Sequence, residues 1–383
     1  MTQGYFSQLI GNEEVKKRLT VMLSKGTLGQ ALLFAGAEGV GKSAFAFALA
    51  AALIAPADGD LELRHRVLTA QHPDLHVYRP EGKLGLHTLE SLRQLSREVY
   101  LPPYEASLKV FILHEAERML TYSANALLKT FEEPPPRTLF ILLSETPAAI
   151  LPTIVSRCYA LHFRPVDPLL LSDFLQRLYP SLDVATVVQI IHRAEGSIGR
   201  AVRLAEQGDV LWTDLQRLLL QGPIRNYRSF QEQVKILSGK IEEVKKQAEE
   251  AARRELGKME GEQQLSVHQQ RALEKEMEAS ASLVLFREAK RVFEGILSWY
   301  RDMQWLYYGG DPTGLIHSDC HAQLEQAVQR GELQPLEQVW KWVDEALVAI
   351  QQSTPLALCV ENLFLKLTLH KRLDISIEPK PRG

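Results

Sequence analysis

Apolar positions fall into two regimes along the chain. Up to residue 165 they form short unbroken runs separated by helical spacings. Ala31–Ala35, the four apolar residues Val110–Leu113 within Lys109–Met119, Thr138–Leu143 and Tyr159–Phe163 read as strands. The first three do not alternate polar with apolar, so they are expected to be buried, as in a parallel sheet, and the last is short. His72–Tyr78 reads as a further strand with a polar start. Between the strands, Val15, Leu19, Met22 and Leu23 keep a helical period, and so does Leu89–Val99, which carries Arg93 and Arg97. An amphipathic helix from Ala124 ends at Pro134-Pro-Pro136, because proline cannot continue it.

Beyond residue 165 the pattern is helical throughout. Leu169, Leu170, Phe174 and Leu178 space several short helices over 166–210. Gln221-Gly-Pro223 reads as a linker. Ile241–Glu278 is charged and poor in aromatics, which predicts a solvated helical hairpin within an insertion at about 235–282. Phe286, Phe293, Trp299, Tyr300 and Trp305 make an aromatic stripe at helical spacing, expected as core. Gly309-Gly-Asp-Pro312 breaks that helix. Leu324–Gln329, Leu336–Gln351 and Pro355–Leu373 give further helices, and Glu378–Gly383 reads as a disordered tail.

A chain of 383 residues is too long for one core, so two or three domains are expected. The formal net charge of −3 gives no global attraction to nucleic acid. Cys158, Cys320 and Cys359 lie far apart, which argues for a reducing compartment. No basic-then-apolar leader and no bilayer-long apolar run are present, so a cytosolic protein without membrane contact is expected.

The chemistry concentrates in Gly36-Ala-Glu-Gly-Val-Gly-Lys-Ser43, which fits G-x-x-x-x-G-K-[ST] between a strand and an apolar helix. Gly36, Gly39, Val40 and Gly41 would turn backbone N–H groups toward phosphate, with the helix start adding positive potential. Lys42 would reach the outer phosphates, and the Ser43 hydroxyl would ligate Mg²⁺. After Lys109–Leu113, a phosphate-transfer site needs one carboxylate for Mg²⁺ and a second to orient water. Glu115 meets the second need. The first position is His114, a poor ligand for a hard cation. His72, Asp74 and His76 alternate as metal ligands could, but a plain strand end explains them better.

Ile10-Gly11, Gly36–Ser43, His72-Pro-Asp74, Ala124–Pro135, Ser156-Arg-Cys158 and Gly196-Ser-Ile-Gly-Arg-Ala201 together resemble the bacterial clamp-loader branch of the AAA+ family, the delta-prime type most closely. The resemblance covers the chain to about residue 210. It implies an α/β P-loop domain over 1–165, a small helical lid over 166–210 and an all-α collar over 211–383 that joins subunits in a ring. It also implies ATP in the glycine loop, with Arg200 touching phosphate as a second sensor. Arg157 would project into a neighbour's ATP site. The partners implied are gamma/tau and delta subunits, with the sliding clamp and primer–template DNA reached through the complex.

Three departures bear on these expectations. No cysteines lie between Ile54 and His72, so no zinc site is expected. His114 replaces an acid, and Ser144-Glu-Thr-Pro147 puts Glu145 near the expected γ-phosphate, which it would repel. The expectation is a stator that binds ATP, hydrolyses it poorly or not at all, and lends Arg157 next door. The alternatives are an active gamma/tau-type motor and an AAA+ remodeller outside replication.

Overall fold

The computed structural model describes residues 4–55, 61–81, 85–208, 210–220, 224, 226–260 and 267–369, without the side chains of 123, 126, 207, 210, 251–260, 267–280 and 369. Residues 56–60, the linker 221–223, the middle of the charged insertion at 261–266 and the tail 378–383 lie outside the described residues. The chain divides into two compact units, the first running to Glu206 and the second from Gln207.

The first unit contains α1 (Glu13–Lys25), β1 (Ala31–Ala35), α2 (Lys42–Ile54), α3 (Leu61–Leu68), β2 (Leu75–Tyr78) and α4 (Leu89–Val99). It continues through β3 (Lys109–Leu113), α5 (Thr121–Glu132), β4 (Thr138–Ser144), α6 (Pro152–Val155) and β5 (Tyr159–His162). All strand pairs are parallel, in the order β2-β3-β4-β1-β5. Strands β1, β3 and β4 are buried along their whole length because both faces are covered, whereas Tyr159 and His162 of β5 are exposed. Leu32, Phe34, Ile112 and Ile141 pack with Leu19 of α1 and Phe45 of α2. The alternate residues Leu33, Phe111, Leu113 and Leu142 pack with Leu92 of α4 and Leu127 of α5. Helix α2 lies against the sheet through alanines, with Ala46 and Ala50 fully buried.

The strand expected from His72 starts at Leu75 instead. The Asp74 carboxylate accepts backbone N–H groups of Tyr104 (2.6 Å), Glu105 (2.7 Å) and Ala106 (2.7 Å), and His72 Nδ1 accepts that of Asp74 (3.1 Å). These local bonds make a turn where periodicity suggested a ladder.

Helices α7 (Pro168–Leu178), α8 (Val184–Ala194) and α9 (Ile198–Gln207) follow, with a small core of Leu171, Leu175, Val187 and Ile190. The face buried on α7 is not the one expected, because Leu169, Leu170 and Leu178 are 77%, 42% and 49% exposed. Leu171 and Leu175, at i and i+4, form the inward stripe.

The second unit is helical, with α10 (Val210–Leu220), α11 (Tyr227–Glu260), α12 (Val267–Tyr307), α13 (His321–Gln329), α14 (Leu336–Gln351) and α15 (Leu356–Leu369). Its core gathers Trp212, Phe230, Phe293, Trp299, Trp342 and Phe364. Helices α11 and α12 pack as a pair. Burial on α11 stops at Ile241, and residues 242–250 carry no buried side chain. Trp305 departs from the expected core stripe and is 40% exposed. Its Nε1 donates to the Asp311 carbonyl (2.7 Å), and a Cβ on Gly310 would come within 2.3 Å of its ring. Trp305 therefore shapes the Gly309–Pro312 turn rather than the core. Among the described residues no helix is long and apolar enough to cross a membrane.

Candidate functional site

The carboxyl edge of the parallel sheet is where α/β folds collect ligands. Here β1 runs into the glycine loop beside the ends of β4 and β5. Gly36 donates its N–H to the Ser144 carbonyl (3.1 Å), and a Cβ there would lie 2.6 Å from the Phe163 carbonyl oxygen. Gly39 and Gly41 take φ of 75° and 103°, which glycine adopts without steric cost, and Gly41 caps α2. Val40 is buried. The loop is clipped from outside by Asn12. Its Nδ2 donates to the carbonyls of Val40 (3.3 Å) and Arg164 (3.2 Å), while Oδ1 accepts the Arg164 N–H (2.8 Å).

Lys42 Nζ donates to the Gly36 and Ala37 carbonyls of its own loop, the latter at 2.6 Å. Burial pushes its ammonium below the ordinary lysine value, against the pull of Glu145, Glu117, Glu38 and Glu115. A partly desolvated cation at a helix start is a ready partner for phosphate oxygen. Ser43 is the second residue of α2.

The start of α9 reaches the same loop. The Gly39 carbonyl accepts the Gly199 N–H (3.2 Å), and Ser197 Oγ accepts the Arg200 N–H (3.2 Å). The Arg200 side chain pairs with Glu195 (3.2 Å). The structure thus brings Gly36–Ser43 and the start of α9 together, with Arg200 on that helix.

The acids follow β3. Glu115 sits at φ 49°, and its carboxylate pairs with Arg118 Nε (2.6 Å). Arg118 also donates to the Gly85 carbonyl (3.3 Å). His114 Nδ1 faces Arg79 Nη1 at 3.2 Å, and since a guanidinium can only donate, Nδ1 accepts. The His114 carbonyl accepts from His87 Nε2 (2.7 Å), and burial keeps His87 below the ordinary histidine value.

Sequence reading passed over Glu117. The short turn after β3 carries it to the end of β4, where Oε1 accepts the Glu145 N–H (3.2 Å). Its Oε2 is buried without a hydrogen-bond partner among the described residues. The available signal was a second acidic residue, three positions beyond His114 in His114-Glu-Ala-Glu117.

Arg157 stands apart from the loop. It donates to the Thr153 carbonyl (2.8 Å) and pairs with Glu132 (3.0 Å), with 38% of its side chain exposed. The adjacent Cys158 thiol, by contrast, is pushed up to about 12 by burial. His72, Asp74 and His76 do not converge. His76 faces Glu98 (3.1 Å) and stacks on Phe111 at 4.6 Å. Among the described residues no three His, Cys, Asp or Glu side chains are placed to hold a metal ion. Mg²⁺ bound with a nucleotide needs no such cage, since one or two carboxylates, phosphate oxygens and waters suffice. The Ser43 hydroxyl and the unpartnered Glu117 oxygen are donors of the right hardness.

Comparison with known proteins agrees with this geometry. The sequence model of the family described as DNA polymerase III, delta subunit, matches residues 11–167. DNA polymerase III subunit delta' of Bacillus subtilis is 34% identical over 166 residues, 42% of this chain and 50% of that protein. DNA polymerase III subunit tau of Escherichia coli is 30% identical over 212 residues, 53% of this chain and 32% of that protein. The chain thus spans half or less of these relatives' lengths. Among solved structures, a DNA polymerase III gamma-subunit-related protein of Thermotoga maritima is similar at a TM-score of 0.41 and 17% identity, covering 94% of this chain and 99% of that one. The N-terminal half of the chain is therefore similar in sequence to the DNA polymerase III subunits delta' and tau.

Proposed function

We propose that the chain is a delta-prime-type stator of a DNA polymerase III clamp loader. It holds ATP in Gly36–Ser43, turns it over slowly or not at all, and presents Arg157 to a neighbouring subunit's ATP site. A guanidinium supplied from a neighbour stabilises charge on a transferring phosphoryl group. The observation that carries this reading is the end of β3. An imidazole that already accepts from Arg79 stands at position 114, and Glu115 is neutralised by Arg118, while the phosphate cradle keeps every motif residue. The second unit would be the collar that joins gamma/tau and delta subunits. The clamp and primer–template DNA would be reached through the assembled complex, in the cytoplasm.

A gamma/tau-type motor is the second reading, favoured by the buried, unpartnered oxygen of Glu117. Turnover by the purified chain, with and without Mg²⁺, separates the two. Nucleotide binding with negligible turnover supports the stator. Robust ATPase activity abolished by Lys42→Ala removes it. Affinity purification that brings down no other loader subunit counts against both.

A further inference from the structure

We propose that Glu117 holds the metal side of the bound nucleotide, in the place left without an acid at position 114. This rests on the reading that the glycine loop binds Mg²⁺ with ATP, and it concerns which side chain of this chain takes the metal.

Three acidic side chains gather at the ends of β3 and β4, and they differ in what holds them. Glu115 is bonded to Arg118 at 2.6 Å, so its charge is already matched. Glu145 lies one residue past β4, on the backbone that Glu117 itself holds through the 3.2 Å bond to its N–H. Glu117 differs from both. One carboxylate oxygen is fixed by that bond, and the other is buried with no hydrogen-bond partner among the described residues. The fixed oxygen also sets the group's distance from the loop. Glu145 follows Ser144, whose carbonyl accepts the Gly36 N–H at 3.1 Å, so two hydrogen bonds link Glu117 to the start of the cradle. Glu117 is also among the carboxylates whose field reaches Lys42.

The chemistry excludes the neighbouring histidine. With Nδ1 of His114 accepting from Arg79, the neutral ring carries its proton on Nε2, and neither nitrogen offers a lone pair to a cation. Mg²⁺ prefers oxygen and keeps several waters, so one carboxylate beside Ser43 and the phosphates completes a reasonable shell. The orphaned oxygen of Glu117 thereby acquires a partner in the loaded state. Glu115, the group that would orient water, stays paired with Arg118. Such a site grips Mg²⁺ and nucleotide without the second carboxylate that turnover needs.

The test uses the full chain and a fluorescent ATP analogue, titrated in EDTA and in Mg²⁺, with Mn²⁺ electron paramagnetic resonance as a second readout. Glu117→Gln keeps the shape and the acceptor for the Glu145 N–H but removes the charge. It is expected to bind nucleotide in EDTA at least as well as the parent chain. The Mg²⁺-dependent gain in affinity should fall about tenfold or more, and the bound-Mn²⁺ signal should be lost. Glu115→Gln should keep both. A full Mg²⁺ gain in Glu117→Gln, or an equal loss in both variants, overturns the assignment. Absence of nucleotide binding by the parent chain overturns the nucleotide reading itself, and the assignment with it.

Discussion

The Gly39 carbonyl accepts the backbone N–H of Gly199 at 3.2 Å, and this bond joins the phosphate loop to the start of α9. The approach is so close that a Cβ on Gly39 would lie 2.1 Å from Ser197 Oγ. On Gly199 the same atom would meet the Gly39 Cα at 3.5 Å, an ordinary contact. The two glycines of the junction therefore have unequal tolerance. Gly39→Ala, at φ +75°, is expected to cost about 1–3 kcal/mol and to weaken nucleotide binding, because Ser197 must move off the loop. Gly199→Ala should change stability by less than about 0.5 kcal/mol. Thermal melts and nucleotide titrations of the two variants check both outcomes.

Asp74 makes a pH prediction. Burial pushes its carboxyl up, but the backbone N–H groups of Ala106, Tyr104 and Glu105 outweigh that and hold it below the ordinary aspartate value. A carboxyl lowered on folding stabilises the native state above its unfolded value, near 3.9, and loses that contribution as pH falls through the lowered folded value. Asp74→Ala should cost about 3 kcal/mol at neutral pH. It should also flatten part of the acid loss of stability. Urea midpoints at pH 7 and below pH 4 make the comparison, and an unaltered acid slope would remove Asp74 from the account.

Arg157, the proposed arginine finger, contributes little to its own fold. Its ion pair with Glu132 is half-exposed, so Arg157→Ala should cost under about 1 kcal/mol. Nucleotide binding by the isolated chain should be unchanged. ATPase of the assembled loader should fall steeply, since an arginine finger is worth roughly 10³-fold or more at the site it serves. An unchanged assembled rate counts against the finger.

The second unit has its own weak point. Asp302 is fully buried and accepts from Ile316 N–H (3.2 Å), His317 N–H (2.8 Å) and Arg301 Nη1 (2.7 Å). These bonds fasten α12 to the turn that leads into α13. Asp302→Ala removes the acceptor of the Ile316 and His317 N–H groups, while Arg301 keeps the Gly314 carbonyl (2.9 Å), and should destabilise that unit by about 2–3 kcal/mol. Calorimetry on the full chain should show the transition of the second unit lowered, with nucleotide affinity intact.

Some elements were legible in the sequence to the residue. Ala31–Ala35 and Leu89–Val99 coincide with β1 and α4, and the apolar run Val110–Leu113 lies within β3. A strand covered on both faces must be apolar throughout, and a helix with one covered face must show the helical period, so burial is written directly in the pattern. The proline stop after α5 is as local. Helices α3 and α10 escaped notice, and α7 showed more apolar positions than it buries, because exposed leucines blur the stripe.

What the sequence determined by itself is whatever depends on neighbours along the chain: the strand runs, the helix stops, and the glycine loop whose turn needs residues without a Cβ. What the tertiary structure alone decided is whatever depends on groups meeting across the fold. Glu117 reached the end of β4, Ser197 closed on Gly39, and Asp74 took its backbone donors from a loop beyond α4. No spacing encodes these meetings. The first follows from a parallel sheet that lays β4 between β3 and β1, so that Glu117 and Glu145 share its carboxyl edge, whereas Asp74 lies at the opposite edge.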